Sequence, residues 1–454
     1  MVWKKQMALC LILLVPSACR KPSELPPQPG WIEDAVLYEI NTRQFTPEGT
    51  FSAIAGHLPR LKRLGVDLLW FMPVHPIGRQ QRKGTLGSPY SVRDYRAVNP
   101  DYGTAEEFAE LVARAHQAGM RVIIDWVANH TAWDHDWMSR CPHFYSRDST
   151  GAVTAPVADW FDVADLNYET AAVSDSMIET MKWWVREMDI DGFRCDVAEM
   201  VPMSFWRHAT RELSRIKPLF FLAEGEAPEL HDNGFHMTYA SRMHHLFNRI
   251  GAGTAQADDI LSLLDEEREA YPAGALRMRF TSNHDENFWK GPAIERLGVE
   301  GAKAFAVLTF TLPGHALIYN GQEIGLEKRL PFFEKDSIEW RESEFEPLYQ
   351  RCIQLYKRHP ALRRGRLVPL TGAPLLAFIM ERGRDRVIAL FNLTPGRVQT
   401  QIKLEGVSGH FIEAFRATRL SVDDSELHFE LPPWAYRIYI SEATVRALGR
   451  DSDA

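Results

Sequence analysis

Cysteine is scarce: the chain has 5 in 454 residues, and Cys10 and Cys19 fall within the first stretch of sequence. The remainder, Cys141, Cys195 and Cys352, is odd in number and shows none of the paired spacings of a disulfide framework or a structural zinc site. A surplus of positive charge is also missing. With 52 basic against 60 acidic side chains and no basic cluster, the chain lacks the footprint of a nucleic-acid-binding protein. No apolar run reaches the roughly 18 residues that would read as a membrane-spanning helix. Low-complexity tracts and short-period repeats are absent as well, which excludes a disordered chain and a solenoid.

What is present begins with Lys4 and Lys5, an apolar run over residues 7–15, and then Pro16, Ser17, Ala18 and Cys19. That is the layout of an export signal. Pro22, Pro26, Pro27 and Pro29 follow at once, so residues 20–30 read as a tether. Ser17-Ala18-Cys19 resembles a bacterial lipobox, with Pro16 where that motif usually has Leu. The layout predicts a signal over residues 1–19 and an exported protein in the periplasm or at the cell surface; the lipobox resemblance implies acylation of Cys19 and membrane attachment through it, with simple signal cleavage as the alternative.

From residue 36 onward, short β-rich apolar runs alternate with amphipathic stretches, the pattern of parallel strands joined by crossover helices. Strands are expected at 36–40, 67–72, 121–126, 192–197, 220–224, 236–239, 278–282 and 316–320. Helices are expected at 53–64, 105–117 and 173–188. The fold class is therefore α/β, a (β/α)8 TIM barrel over 31–130 and 170–360. Residues 131–169 carry no helical pattern and read as an insertion after the third strand. Beyond residue 360 the periodicity turns to alternation, at 386–392, 399–404 and 436–440, which predicts an antiparallel β-sandwich domain over 361–442. Residues 443–454 read as a frayed tail.

In such a barrel the reactive groups sit where the strands end. The third strand ends in Asp125, then Asn129 and His130. The fourth carries Arg194 and Asp196, the fifth ends in Glu224, and the seventh is followed by His284 and Asp285. Any one of these could cap a helix or pair with a neighbour. Together they crowd acidic groups onto one mouth, which costs stability unless a charged transition state or a metal repays it. A zinc or two-metal site would want denser His and carboxylate ligation than this.

These segments, with Tyr90-Ser91-Val92-Arg93-Asp94-Tyr95 and Leu317-Ile318-Tyr319-Asn320-Gly321-Gln322-Glu323, resemble the ordered signature regions of the α-amylase family of glycoside hydrolases. The resemblance implies a retaining hydrolase of α-1,4-glucans such as starch or maltodextrin. It implies Asp196 as nucleophile, Glu224 as acid/base and Asp285 as transition-state stabiliser. Arg194, His130 and His284 would contact the sugar, with Asp125 beside them and Tyr90 as the stacking platform. No cofactor is implied for the chemistry. A structural calcium is suggested by Asn129, with Asp162 or Asp165 adding oxygens. Glu199-Met200 stands where many α-amylases have Lys-His, and Phe205-Trp206-Arg207 is closer to the neopullulanase and cyclomaltodextrinase branch, while Asp165-Leu166-Asn167 departs from that branch. Hydrolysis and transglycosylation both remain open, and an inactive glycan-binding relative is disfavoured by the retained carboxylates. Arg194, two residues before Asp196 on one strand face, is expected to keep Asp196 ionised, and that charge to keep Glu224 protonated. Trp133, Trp137, Phe144 and Trp160 in the insertion are candidate sugar platforms, whereas Trp183 and Trp184 read as barrel packing.

Overall fold

The computed structural model describes residues 26–370, 374–404, 406–423 and 426–442. The expected signal, Cys19, the first part of the tether and the tail lie outside the described residues. Among those described, no helix is long and apolar enough to cross a membrane.

Eight strands close into a barrel: Leu37–Ile40, Leu68–Phe71, Arg121–Trp126, Gly192–Cys195, Phe220–Ala223, Met237–Tyr239, Leu276–Arg279 and His315–Tyr319, numbered one to eight here. All adjacent pairs are parallel, with the eighth strand closing on the first. All eight correspond to strands expected from the sequence. The seventh begins two residues earlier than its apolar pattern predicts and ends earlier, because its ladder includes Arg277 and Arg279. Both arginines are buried against Glu267, and Arg277 is a charge in a strand position that hydrophobicity alone passes over.

Side chains alternate across each strand. Leu37, Leu68, Ile123, Phe220, Leu222, Met237, Met278 and Leu317 fill the barrel interior, while Ile40, Leu69, Val122, Ile124, Phe193 and Phe221 face the helices. One step further along the inward-facing positions, the apolar layer gives way to Glu39, Trp70, Asp125, Arg194 and Tyr239. The register sets Glu39 beside Trp70 and Asp125 beside Arg194. Gly192 opens the fourth strand at φ 155°, and a Cβ there would lie 1.9 Å from the Phe220 carbonyl oxygen. Only glycine lets these two strands approach so closely.

The helices have local causes. Phe51–Leu64 starts on Thr50, whose hydroxyl accepts the Ala53 N–H, and stops at Gly65 in the left-handed region (φ 106°). Ala105–Gln117 opens on a complete capping box between Thr104 and Glu107. The segment after the third strand forms a two-stranded ladder, His130–Ala132 against Val163–Asp165. It also holds a short helix, Asp136–Arg140, in a stretch with no predicted helix; five residues are too few to impose a period on the sequence. Beyond the helix Phe345–Arg358, the chain forms an antiparallel six-stranded sheet and a two-stranded ladder.

Candidate active site

The carboxyl ends of the strands enclose a cleft of about 580 Å³. Tyr90, His130, Asp196, Glu224, His284 and Asp285 line it. Asp125 and Arg194 lie beneath its floor, both at 0% exposure. The structure thus brings all eight sequence-predicted catalytic and sugar-contact residues to one place, in two tiers.

Arg194 is the hub of the lower tier. Its Nη1 donates to Asp125 Oδ1 at 2.8 Å and to Asp196 Oδ1 at 3.1 Å, and its Nη2 lies 3.0 Å from Glu224 Oε1. Its Nε donates to the Tyr239 hydroxyl at 3.0 Å, and the guanidinium lies over the Trp70 ring. Asp125 Oδ2 accepts from Trp70 Nε1 and from the Tyr90 hydroxyl, the latter at 2.9 Å. A buried cation and its anions are tolerable in this interior because each charge is bonded on several sides. Buried and enclosed, Arg194 meets the cleft only through the carboxylates it holds, not as the direct contact expected from sequence.

Asp196 and Glu224 converge on the same guanidinium, and each charge bears on the other, so both cannot ionise freely. Burial pushes the Asp196 carboxyl well above its ordinary value, and the charge of Glu224 pushes it further, against Arg194. Burial also raises Glu224, but Arg194, the Val197 N–H and His284 together hold it below its ordinary value. These directions run opposite to the expectation that Arg194 keeps Asp196 ionised and that this charge keeps Glu224 protonated. The reason is geometric. Glu224 keeps 25% of its side chain exposed against 9% for Asp196, and its Oε2 accepts the Val197 N–H at 2.7 Å. Val197 adopts φ 36°, an uncommon conformation for a β-branched residue, and that turn aims its amide at Glu224.

His284 joins the upper tier to the first strand. Its Nδ1 lies 2.5 Å from Glu39 Oε1, and its Nε2 lies 2.7 Å from the Tyr90 hydroxyl and 3.3 Å from Asp285 Oδ2. Its ring stacks on Tyr90, which stacks in turn near Phe332. Burial disfavours its protonation, yet Asp285 and Glu39 outweigh that and raise it to about 9. His130 is the opposite case, lowered to about 4 by burial, and so is neutral near pH 7.

The calcium candidates do not form a set that a hard cation would take. Asp162 Oδ1 pairs with Lys83 Nζ at 2.8 Å, Asp165 accepts from Ser146, and the Asn129 amide faces His130 Nδ1 at 3.3 Å. Calcium wants six to eight oxygens, and of these candidates the Asp162 carboxylate is already engaged with an ammonium. Among the described residues, no group of three or more His, Cys, Asp or Glu side chains is placed to hold a metal ion. Lys83 also donates to the Asp159 carbonyl and lies over the Phe161 ring.

Glu39, Trp70, Tyr239, Lys83 and Trp289 escape a reading of the sequence. Among the candidate platforms, Trp160 lines the cleft, while Trp137 and Phe144 pack on each other and Trp133 donates to the Phe161 carbonyl. Trp184 is fully buried in barrel packing. Two large aromatic residues stand exposed at the cleft: Phe161 (51%) from the insertion and Trp289 (58%) from the π-helical turn Glu286–Lys290 directly after Asp285. Glu199 turns away from substrate recognition and accepts the Glu226 and Ala227 N–H groups, bracing the loop that follows Glu224.

The family model described as the α-amylase catalytic domain matches residues 30–164 and 158–245. An α-amylase of Haloarcula japonica is 31% identical over 348 residues, which covers 71% of this chain; the match spans 48% of that relative's length. A cyclomaltodextrinase from a Bacillus species is 25% identical over 436 residues, covering 82% of this chain and 75% of the relative. A solved maltogenic α-amylase from Thermotoga neapolitana is 29% identical and superposes with a TM-score of 0.84, over 90% of this chain and 99% of that one. With the barrel and its ring of carboxylates already in view, these likenesses agree that the chain belongs to the α-amylase family of glycoside hydrolases.

Proposed function

We propose that this protein hydrolyses α-1,4-glucosidic bonds of starch- or maltodextrin-like glucans with retention of configuration. The observation that carries the reading is the convergence of Asp196 and Glu224 on a shared arginine, at the floor of an aromatic-rimmed cleft. Inverting enzymes hold their carboxyl groups roughly 6.5–9.5 Å apart to admit a water between them, whereas a retaining pair sits at about 5–5.5 Å. Two carboxyls drawn onto one guanidinium, 3.1 Å and 3.0 Å from its two terminal nitrogens, favour the second class.

Asp196 attacks the anomeric carbon while Glu224 protonates the leaving oxygen, and a water activated by Glu224 then releases the sugar from Asp196. The pair enters this step with one proton between them, held by Glu224 as the glycosidic oxygen seats against it. Arg194 then stabilises the Asp196 carboxylate. Asp285, at the mouth beside the His284 cation, faces the positive charge that develops on the ring. Phe161, Trp160, Trp289 and Phe332 offer flat apolar surface to the CH faces of pyranose rings, which suits a polymer of glucose. Export and acylation of Cys19 complete the proposal: the glucan is met outside the cytoplasm.

The test is incubation with maltoheptaose followed by NMR of the first product. The α-anomer must appear first, and Asp196→Asn must abolish turnover on every substrate. A β-anomer first, or near-normal turnover by Asp196→Asn, would overturn the mechanism. Long transfer products in place of short maltooligosaccharides would instead mark a transglycosylase.

A further inference from the structure

Glu39 lies in the apolar first strand, between Tyr38 and Ile40, with its side chain at 0% exposure inside the barrel. One oxygen, Oε1, is 2.5 Å from His284 Nδ1. The other, Oε2, is buried and has no hydrogen-bond partner among the described residues. A buried carboxylate with an idle oxygen is a poor stabiliser, since an apolar side chain would fill the space at no desolvation cost. Its one strong contact is therefore the reason to look for a role at the site.

We infer that Glu39 is a positioning residue for the hydrolytic site: its carboxylate fixes the imidazole of His284 through Nδ1, so that Nε2–H is presented to Tyr90, Asp285 and the bound sugar. The inference rests on the hydrolase reading above. Hydrogen-bond accounting supports it. The Tyr90 hydroxyl has one proton, which it gives to Asp125 Oδ2, so the His284 Nε2 must donate to the Tyr90 oxygen. Burial raises the Glu39 carboxyl and the neighbouring His284 lowers it; with Glu39 ionised, Nδ1 donates as well. A histidine that donates from both nitrogens is an imidazolium. The charges that bear on it are Glu39 from the first strand, Asp285 at its own position, Asp125 and Glu224 across the barrel, and Arg194 opposing them. Asp285 is open to solvent on 38% of its side chain, whereas Glu39 is sealed, so Glu39 holds the proton on His284 even when a substrate occupies the mouth.

The consequence is a divided labour between two carboxylates flanking one ring. Asp285 is free to turn toward the sugar because Glu39, behind it, carries the task of keeping His284 charged and oriented. The side chain acts through His284 and never touches substrate.

The experiment is an NMR titration of the histidine ring signals in the full chain, with the His284 signal assigned by its loss in His284→Gln. In the wild type the ring should titrate near 9, as burial opposed by Asp285 and Glu39 dictates. Glu39→Gln should lower that midpoint by about 1–3 pH units, the range for loss of an adjacent opposite charge. Glu39→Asp, which retains the charge on a shorter side chain, should give an intermediate midpoint. An unchanged His284 titration in both variants would overturn the inference. A titration that shifts as stated in an enzyme that releases no sugar from maltoheptaose would uphold the Glu39–His284 coupling and sink the hydrolase reading instead.

Discussion

Replacing Arg194 by Met keeps much of the side-chain volume and removes the cation that touches Asp125, Asp196 and Glu224. Breaking a fully buried ion pair by deleting one partner costs about 3–5 kcal/mol, and here one deletion strands a group of carboxylates. The site can soften the loss by taking up protons. Arg194 holds down the carboxyls of all three residues, so in its absence their native values rise, while the unfolded chain keeps ordinary ones near 3.9–4.3. Above about pH 4 the native variant then binds more protons than its unfolded state, and stability falls as pH rises through the raised native values. The same variant should therefore lose about 3–5 kcal/mol near pH 8 and recover about 1.4 kcal/mol or more of that near pH 5, one pKa unit being worth that much. Urea unfolding followed by tryptophan fluorescence at both pH values, with unchanged m, reads the difference directly. An equal deficit at both pH values, or a larger one in acid, would show that the arginine is a packing residue and that the charge argument is wrong.

Asp285→Asn should lower kcat far more than it raises KM, since its charge matters chiefly as the oxocarbenium-like state forms; a pure KM effect would reassign it to binding. Trp289→Ala and Phe161→Ala should each reduce kcat/KM on maltoheptaose roughly 2- to 12-fold, the worth of one aromatic contact, while a short aryl maltoside is cleaved as before. Equal losses on both substrates would place these rings in folding rather than in the cleft. Exhaustive chelation should leave the melting temperature unchanged, because Lys83 already neutralises Asp162; a fall would restore a bound cation. In a bacterial host the chain should incorporate labelled fatty acid, and Cys19→Ser should not; equal labelling of both would refute acylation at Cys19.

The eight strands and the reactive ring were legible because apolar runs ended in polar residues, and because a period of two ties Arg194 to Asp196 on one face. Glu39 was invisible for the opposite reason. It sits inside an apolar run, and nothing adjacent in sequence marks it as a neighbour of His284, 245 residues away. Only closure of the barrel, which seats the first strand against the eighth, brings them together. The unequal surroundings of Asp196 and Glu224 are not legible in the sequence, because spacing reports which groups share a face but not how deeply each is buried or which backbone amide points at it. Phe161 and Trp289 raise the same difficulty: an exposed ring and a core ring look alike until the segments that carry them are placed.

The six-stranded sheet beyond the barrel has two apolar faces. Ala377, Ile379, Ile388 and Leu390 meet the small two-stranded ladder, while Phe378, Met380, Val387, Ala389 and Phe391 merge into the same core as the barrel helices. His359 and the Ala361 N–H fasten this junction to Asp385, and Arg351 reaches the Ala414 carbonyl. The C-terminal region is thus no portable accessory. Cut away, it would leave an oily wall on the barrel and another on itself, each ready to self-associate. Recombination or truncation at this border should yield aggregates rather than a minimal enzyme, and the whole chain should melt as one cooperative unit.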